Sequence, residues 1–256
     1  MLSVAATIDA ILLYCDESVS RINIGHGYSI RKINIDDIPY KDKITDGNGN
    51  LTISYLGSRL SEDTGVMSLM CLHKDDIFEI PSPEFGESGR LTDKDLMCRE
   101  SLEAYMDSEM QFLNDTFALL RLYKSGNIGP KQVFFEHRFK AMGFINNTQK
   151  QTSDNVTRNI INNTMFTLTD EEIVQCNQFL SYIGQPAFVM LKNIINEFVW
   201  GLEQVDIPTG FEQFTTALEM MFLATNQQKK KEVLAKRTAV FIGKDNQNIL
   251  GSIRQL

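Results

Sequence analysis

Histidine is scarce in this chain. Of its 256 residues only three are histidines, at positions 26, 73 and 137, so a reaction that moves a proton near neutral pH has few groups to use. Phosphate-cradling loops are absent: neither GxxxxGK[ST] nor GxGxxG occurs, and there is no GxSxG elbow and no HExxH helix. The four cysteines, Cys15, Cys71, Cys98 and Cys176, never form a CxxC pair. That scatter suits a reducing cytosol rather than a disulfide framework. Cys71 and His73 are the only Cys/His pair close in sequence, and two potential ligands do not make a zinc site. No metal or other cofactor is expected.

Long apolar runs are missing too. None approaches the ~20 residues that a membrane-crossing helix needs. The stretch Ala5 to Tyr14 is interrupted by Asp9 and has no basic region before it, so it does not read as a signal peptide. Triplets such as Asn155-Val156-Thr157 therefore carry no weight as glycosylation sites. A cytoplasmic protein without membrane contact is expected. Positive charge is in deficit, with 25 Lys and Arg against 33 Asp and Glu, a net charge of −8 and a pI near 5.0. A broad nucleic-acid-binding surface would need clustered Lys and Arg; a small basic pocket is still compatible with this balance.

What is present is ordinary for a globular chain: 43% apolar and 23% charged residues, enough for a core without staples. The length fits one large domain or two small ones. Residues 1 to about 90 mix short apolar runs with turns. Arg21 to Ile35 alternates apolar and polar residues around Gly25 and Gly27, as strands do. Asp46-Gly47-Asn48-Gly49 is a turn signal, with a strand expected over Leu51 to Leu56. Pro81, Pro83, Gly86 and Gly89 indicate a loop. A long helix is predicted over Thr92 to Lys124, with Thr92 as its cap and Tyr105, Met106, Met110, Leu113, Phe117 and Leu120 on its apolar face. Lys131 to Phe144 fits helix or strand. The asparagine-rich stretch Asn146 to Thr164 offers little to bury and is the candidate domain boundary, or else an exposed hairpin of the first domain.

From Thr169 the periodicity becomes helical. Thr169-Asp170-Glu171-Glu172 reads as a capping box. One helix runs from there to about Ile183, and a second carries Phe188, Leu191, Ile194, Ile195, Phe198, Leu202 and Val205. Pro208-Thr209-Gly210 is expected to break the chain. A third helix carries Phe211, Phe214, Leu218, Met221 and Phe222, a fourth spans Lys229 to Ile242, and a last short segment covers Asn246 to Leu256. The reading is thus an α+β chain: a mixed α/β region over 1–165, then an all-α bundle over 166–256. No repeat of 20–50 residues is visible, which argues against a solenoid.

The most specific stretch is Phe211 to Gly243. Its first helix has the form F-x-x-F/L-x-x-ALE-x-x-F, with Phe211, Phe214, Ala217-Leu218-Glu219 and Phe222. After a polar turn comes L-x-x-R-x-A-x-x-x-G, with Leu234, Arg237, Ala239 and Gly243. This pattern resembles the HEPN domain of the ApeA-like family, and Ile24-Gly25-His26-Gly27-Tyr28 is weakly similar to the sensing half of such proteins. The resemblance implies a metal-independent endoribonuclease of an anti-phage defence or toxin system, acting as a homodimer or with a partner chain through the helical bundle. The N-terminal region would sense a ligand. In the family the catalytic motif is Arg, four to six residues, then His. The histidine would move the proton of the RNA 2′-hydroxyl and the arginine would hold the scissile phosphate. In ApeA-like proteins the segment after the Arg-x-Ala helix runs into a Tyr-x-x-Arg-Ser-x-x-x-His-Gly stretch. Here Ile249 to Leu256 is similar to the approach to it, and no histidine follows Arg237. The bundle is therefore expected to be incomplete, and the catalytic pair missing from this polypeptide: truncated, placed on a second chain, or lost. A degenerate, non-catalytic dimerisation module is the alternative.

The site candidates follow. Glu219 and Arg237 would have supporting roles, first of all as a buried ion pair between two helices. Lys229, Lys230 and Lys231 form either an RNA contact or a solvated helix start. Arg21 to His26 is a literal Arg-x4-His, but in a glycine-broken, alternating context that would not present both residues on a helix.

Overall fold

The computed structural model describes residues 1–38, 40–52, 68–82, 93–139, 164–204, 206–223 and 228–243. They form an α+β chain with an antiparallel sheet in the N-terminal half and helices in the C-terminal half. Two compact units divide at Ile183 and Gly184.

The first unit is built on four strands: β1 (Leu2–Leu13), β2 (Ser29–Asn34), β3 (Ser68–Ile80) and β4 (Gly129–Phe139). Their order is β2-β3-β1-β4, with every neighbouring pair antiparallel. Ile8 pairs with Lys74 on one side and with Phe135 on the other. A long helix, α2 (Asp93–Tyr123), connects β3 to β4 and thereby crosses β1. The shorter α1 (Lys41–Ile44) precedes β3.

Each face of the sheet is covered differently. Met106, Leu113, Phe117 and Leu120 of α2 are buried, as expected for one stripe of a helix laid on a sheet. On the opposite face Ile11, Leu13, Leu69, Cys71 and Phe134 join Ile35, Ile38, Tyr40, Ile44 and Leu51 in one apolar cluster. The C-terminal half of β1 is thus buried on both sides, from Ile8 to Leu13, so apart from Asp9 its sequence is apolar with no alternation. Within the expected strand region of Arg21 to Ile35 only Ser29–Asn34 is strand. Glu17–Arg21 is a 3₁₀ turn, and a tight turn spans Gly25 to Tyr28. Leu51 bridges Thr45, and the rest of the strand expected over Leu51 to Leu56 lies outside the described residues. So do Thr92, the stretch 146–163 and the segment 246–256. The region left open between helix and strand is strand as far as Phe139.

Helix α3 (Asp170–Leu180) belongs with the first unit. The capping box is present: Thr169 Oγ1 accepts from the Glu172 amide at 3.3 Å, and Glu172 Oε2 accepts from the Thr169 amide at 2.9 Å. The chain leading into α3 is stitched to the sheet unit. The Phe166 amide donates to the Tyr14 carbonyl at 2.7 Å, and the Leu168 amide to Ser18 Oγ at 2.9 Å. Asp170 then pairs with Arg21, and Glu172 with Lys124. These contacts explain why the division falls at 183/184 rather than at the expected 165/166. A polar stretch in sequence does not mark a boundary when the chain beyond it docks back.

The second unit consists of α4 (Pro186–Glu203), α5 (Ile207–Phe222) and α6 (Lys230–Gly243). Among the described residues no strand follows residue 170. Pro208-Thr209-Gly210 does not break the chain; it forms the first turn of α5, where a proline loses no helical hydrogen bond. Asp206 caps that turn by accepting from the Thr209 amide at 3.0 Å. Gly201 and Gly210 allow α4 and α5 to touch: a Cβ on Gly210 would lie 2.9 Å from the Gly201 carbonyl oxygen, and one on Gly201 would lie 2.7 Å from the Phe214 ring.

Candidate functional site

In the first unit the middle of β3 is polar on both faces, although it lies inside the sheet. Residues Leu69 to Leu72 are apolar and buried, and then come His73, Lys74, Asp75 and Asp76. Because side chains alternate along a strand, Lys74 and Asp76 project toward α2, while His73 and Asp75 project to the other face.

On the α2 side Lys74 is buried, with 7% of its side chain exposed, and Glu109 is equally buried. Lys74 Nζ lies 2.8 Å from Glu109 Oε1 and 2.9 Å from Asp76 Oδ2. Two tyrosines close the network: Tyr28 donates to Glu109 Oε2 at 2.7 Å and Tyr105 to Asp76 Oδ2 at 3.0 Å. The ammonium also sits 5.3 and 5.9 Å from the centres of these two rings, within cation–π range. Burial is the largest influence on Lys74 and works against its charge, but the bonds to Asp76 and Glu109 outweigh it and raise its pKa. For Asp76, burial opposes ionisation, and Lys74, the Ile77 amide and Tyr105 overcome it, so its pKa is lowered. Burial, reinforced by the neighbouring carboxylates, pushes both tyrosines far above the ordinary value. The network is therefore charged, closed and unreactive: a Lys⁺ between two carboxylates, with no displaced proton to offer.

The Gly25–Tyr28 turn lies beside it. The Tyr28 amide donates to the Gly25 carbonyl at 2.9 Å, and His26 and Gly27 have φ of 52° and 80°, the sign that a type I′ turn requires. His26 is exposed and stacks on Phe112 of α2, with ring centres 4.1 Å apart and planes 11° from parallel. Arg21 meanwhile pairs with Asp170 at 2.6 Å. The two ends of the literal Arg-x4-His thus serve different contacts.

On the other face His73 Nδ1 is 2.8 Å from Asp9 Oδ1, and Nε2 is 3.2 Å from Asp75 Oδ2. Thr7 donates to Asp75 Oδ1 at 2.8 Å. This bond, aided by His73 and Arg31, lowers the Asp75 pKa. Cys71 is buried nearby, and burial pushes its thiol up to about 12, which removes it as a nucleophile. The third histidine, His137, is fully buried. Its Nε2 lies 3.2 Å from Met106 Sδ, its Nδ1 has no hydrogen-bond partner, and burial lowers its pKa. Among the described residues no group of three or more His, Cys, Asp or Glu side chains is placed to hold a metal ion.

In the second unit Arg237 is exposed and does not pair with Glu219; its Nη1 donates to the Phe222 carbonyl at the end of α5. The expected buried ion pair is replaced by an arginine satisfying a terminal helix carbonyl. Lys229, Lys230 and Lys231 are exposed at the start of α6, with Lys229 3.7 Å and Lys236 3.3 Å from Glu232.

Sequence reasoning singled out the second unit and missed the Lys74 network. The available signal was three consecutive charged residues, Lys74 to Asp76, inside an otherwise apolar strand-like run. No family model, no curated protein and no solved structure matches the chain. Among the described residues no helix is long and apolar enough to cross a membrane.

Proposed function

We propose that the chain works by binding: its first unit senses a ligand, and its second is the assembly part of a HEPN-type endoribonuclease system of the anti-phage or toxin kind. The reading rests on the pattern from Phe211 to Gly243, and one observation carries it. Arg237 and Phe222, both positions of that pattern, are joined by a hydrogen bond, and Ala217, another of its positions, is buried. These residues hold two helices together. They do not form a proton-transfer pair, since a guanidinium stays protonated. The three histidines are committed elsewhere in the first unit, to Phe112, to Asp9 and Asp75, and to Met106.

The test is an assay of the purified chain on a mixed RNA pool without metal, with His26→Ala alongside. No cleavage above background is expected. Robust metal-independent cleavage sinks the proposal, and its loss in the His26 variant would make Arg21 and His26 the active pair.

A second reading, a non-catalytic dimerisation module, is favoured by the apolar side chains that the second unit displays. Met190 is 83% and Ile207 85% exposed, with Phe211 and Val189 also exposed, an unusual surface for a monomer. Light scattering at tens of micromolar should give a mass above that of one chain; a clean monomer counts against this reading.

A further inference from the structure

The side of α4 turned away from α5 has a composition that solvent-facing helices seldom show. Side chains three and four residues apart share one face of a helix. In α4 one such series is Pro186, Val189, Asn193, Asn196 and Trp200, and all five are exposed. Val189 is 62% and Trp200 47% exposed. The opposite side is occupied by α5, through Phe198 on Phe214 and Gly201 beside Gly210. The solvent side of an amphipathic helix is ordinarily charged, yet this series carries no charge in a chain that is 23% charged. It ends where Glu203, the last residue of α4, takes the next place.

The spacing is that of the a and d positions of a coiled coil, with Asn193 at an a position. An amide both donates and accepts, so Asn193 can pair with a copy of itself, and an asparagine so placed fixes the register between like helices. A chain of net charge −8 repels its own copies over most of its surface, and a neutral seam is where two of them can approach. The flanking charges choose the direction. Lys192 borders the seam on one side, and Glu197 and the exposed Met190 on the other. In a parallel pair Lys192 of each copy comes beside Glu197 of the other, twice by symmetry. In an antiparallel pair Lys192 meets Lys192 and Glu197 meets Glu197.

We propose that two copies of the chain join through α4, parallel and in register, with Asn193 facing Asn193 and Trp200 facing Trp200 across the two-fold axis. This inference deepens the dimerisation reading above and rests on it. The partner is a second copy of this chain because the seam is complementary to itself, in its amides and in the charges on its two borders.

The test uses the full chain. Sedimentation equilibrium over about 1–300 μM should show monomer and dimer with a dissociation constant of about 10–100 μM, since a seam of two heptads is smaller than a standard interface. Glu197→Lys should weaken association about tenfold, and the exchange Lys192→Glu with Glu197→Lys should restore it. All four native cysteines are buried, so a thiol placed on the seam reacts without them. Asn193→Cys should oxidise to a covalent dimer faster than Glu100→Cys, an exposed position on α2. Asn193 is exposed, so its variant should fold, and circular dichroism checks every variant. Cross-linking of Asn193→Cys to Asn196→Cys, with none of Asn193→Cys to itself, would mean an antiparallel pair and overturns the proposal. A dimer that Glu197→Lys leaves intact and Asn193→Cys does not cross-link overturns the α4 seam and leaves the dimerisation reading standing. A monomer at every concentration overturns both.

Discussion

Lys74 and Met190 invert the usual places of their residue types. In the first unit an ammonium lies with 7% of its side chain exposed between two carboxylates; in the second a methionine is 83% exposed on a helix whose only charged residues are Lys192, Glu197 and Glu203. The Lys74 network of the first unit satisfies its charges internally, down to the tyrosine hydroxyls. The second holds its helices by close backbone approach and ring contacts such as Phe198 on Phe214, and leaves apolar surface over. The contrast separates two strategies. Buried charge gives a unit that one particular packing satisfies, and exposed apolar surface gives a unit whose packing is completed by something else.

The sharpest way to break this comparison is to remove the ammonium. Lys74→Met leaves Glu109 and Asp76 facing each other without a counter-charge, which should cost about 3–5 kcal/mol. Urea unfolding followed by circular dichroism measures it. A loss under about 1 kcal/mol would mean that the network contributes little beyond its apolar stems.

A smaller effect is expected at the α4–α5 crossing. Gly201→Val puts a side chain where the Phe214 ring and the Gly210 carbonyl already stand, an overpacking that should cost about 1–3 kcal/mol. Trp200, the single tryptophan, sits next to the site and reports it: its emission should change before the circular dichroism does. An unchanged emission and midpoint would show that the helices can separate without penalty.

The smallest effect concerns acid. His137 is buried without a partner on Nδ1, and its pKa is lowered by burial. The folded state therefore binds its proton less readily than the unfolded state, whose value is near 6.5. The stabilisation from keeping His137 neutral is fully present above that pH and declines as pH falls through it, by at most about 1.4 kcal/mol per pH unit for one proton. Unfolding free energies at pH 7.5 and 5.5 should differ less in His137→Phe than in the unaltered chain. The lowered carboxyls of Asp75, Asp76 and Glu172 act in the same direction but below the usual carboxylate range, outside this window.

Helices α2 to α6 were legible because each keeps apolar residues at helical spacing, and α3 also because Thr169 and Glu172 announce its start; the four-residue α1 is too short to show a stripe. β1 was not, since burial on both faces erases alternation. β3 was not, because its polar residues fall on both faces and satisfy each other with partners from α2 and β1. No local pattern reveals that Tyr28, Lys74, Asp76, Tyr105 and Glu109 converge, as they lie on three elements. Pro208 and Gly210 misled for a different reason: the same residues that stop a helix are accommodated in its first turn or at a helix contact.

The strand order has a consequence in time. β1 is synthesised before both of its neighbours, β3 on one side and β4 on the other, with Phe135 pairing far along the chain from Ile8. Until β4 is made, a strand containing Ala10 to Leu13 has an unpaired edge and apolar side chains on both faces. Such non-local pairing makes folding slow, and a nascent chain in this state is open to wrong partners. The polar Asp9, immediately before that run, then acts as a gatekeeper during synthesis, bounding a sticky segment while it waits for His73 to arrive.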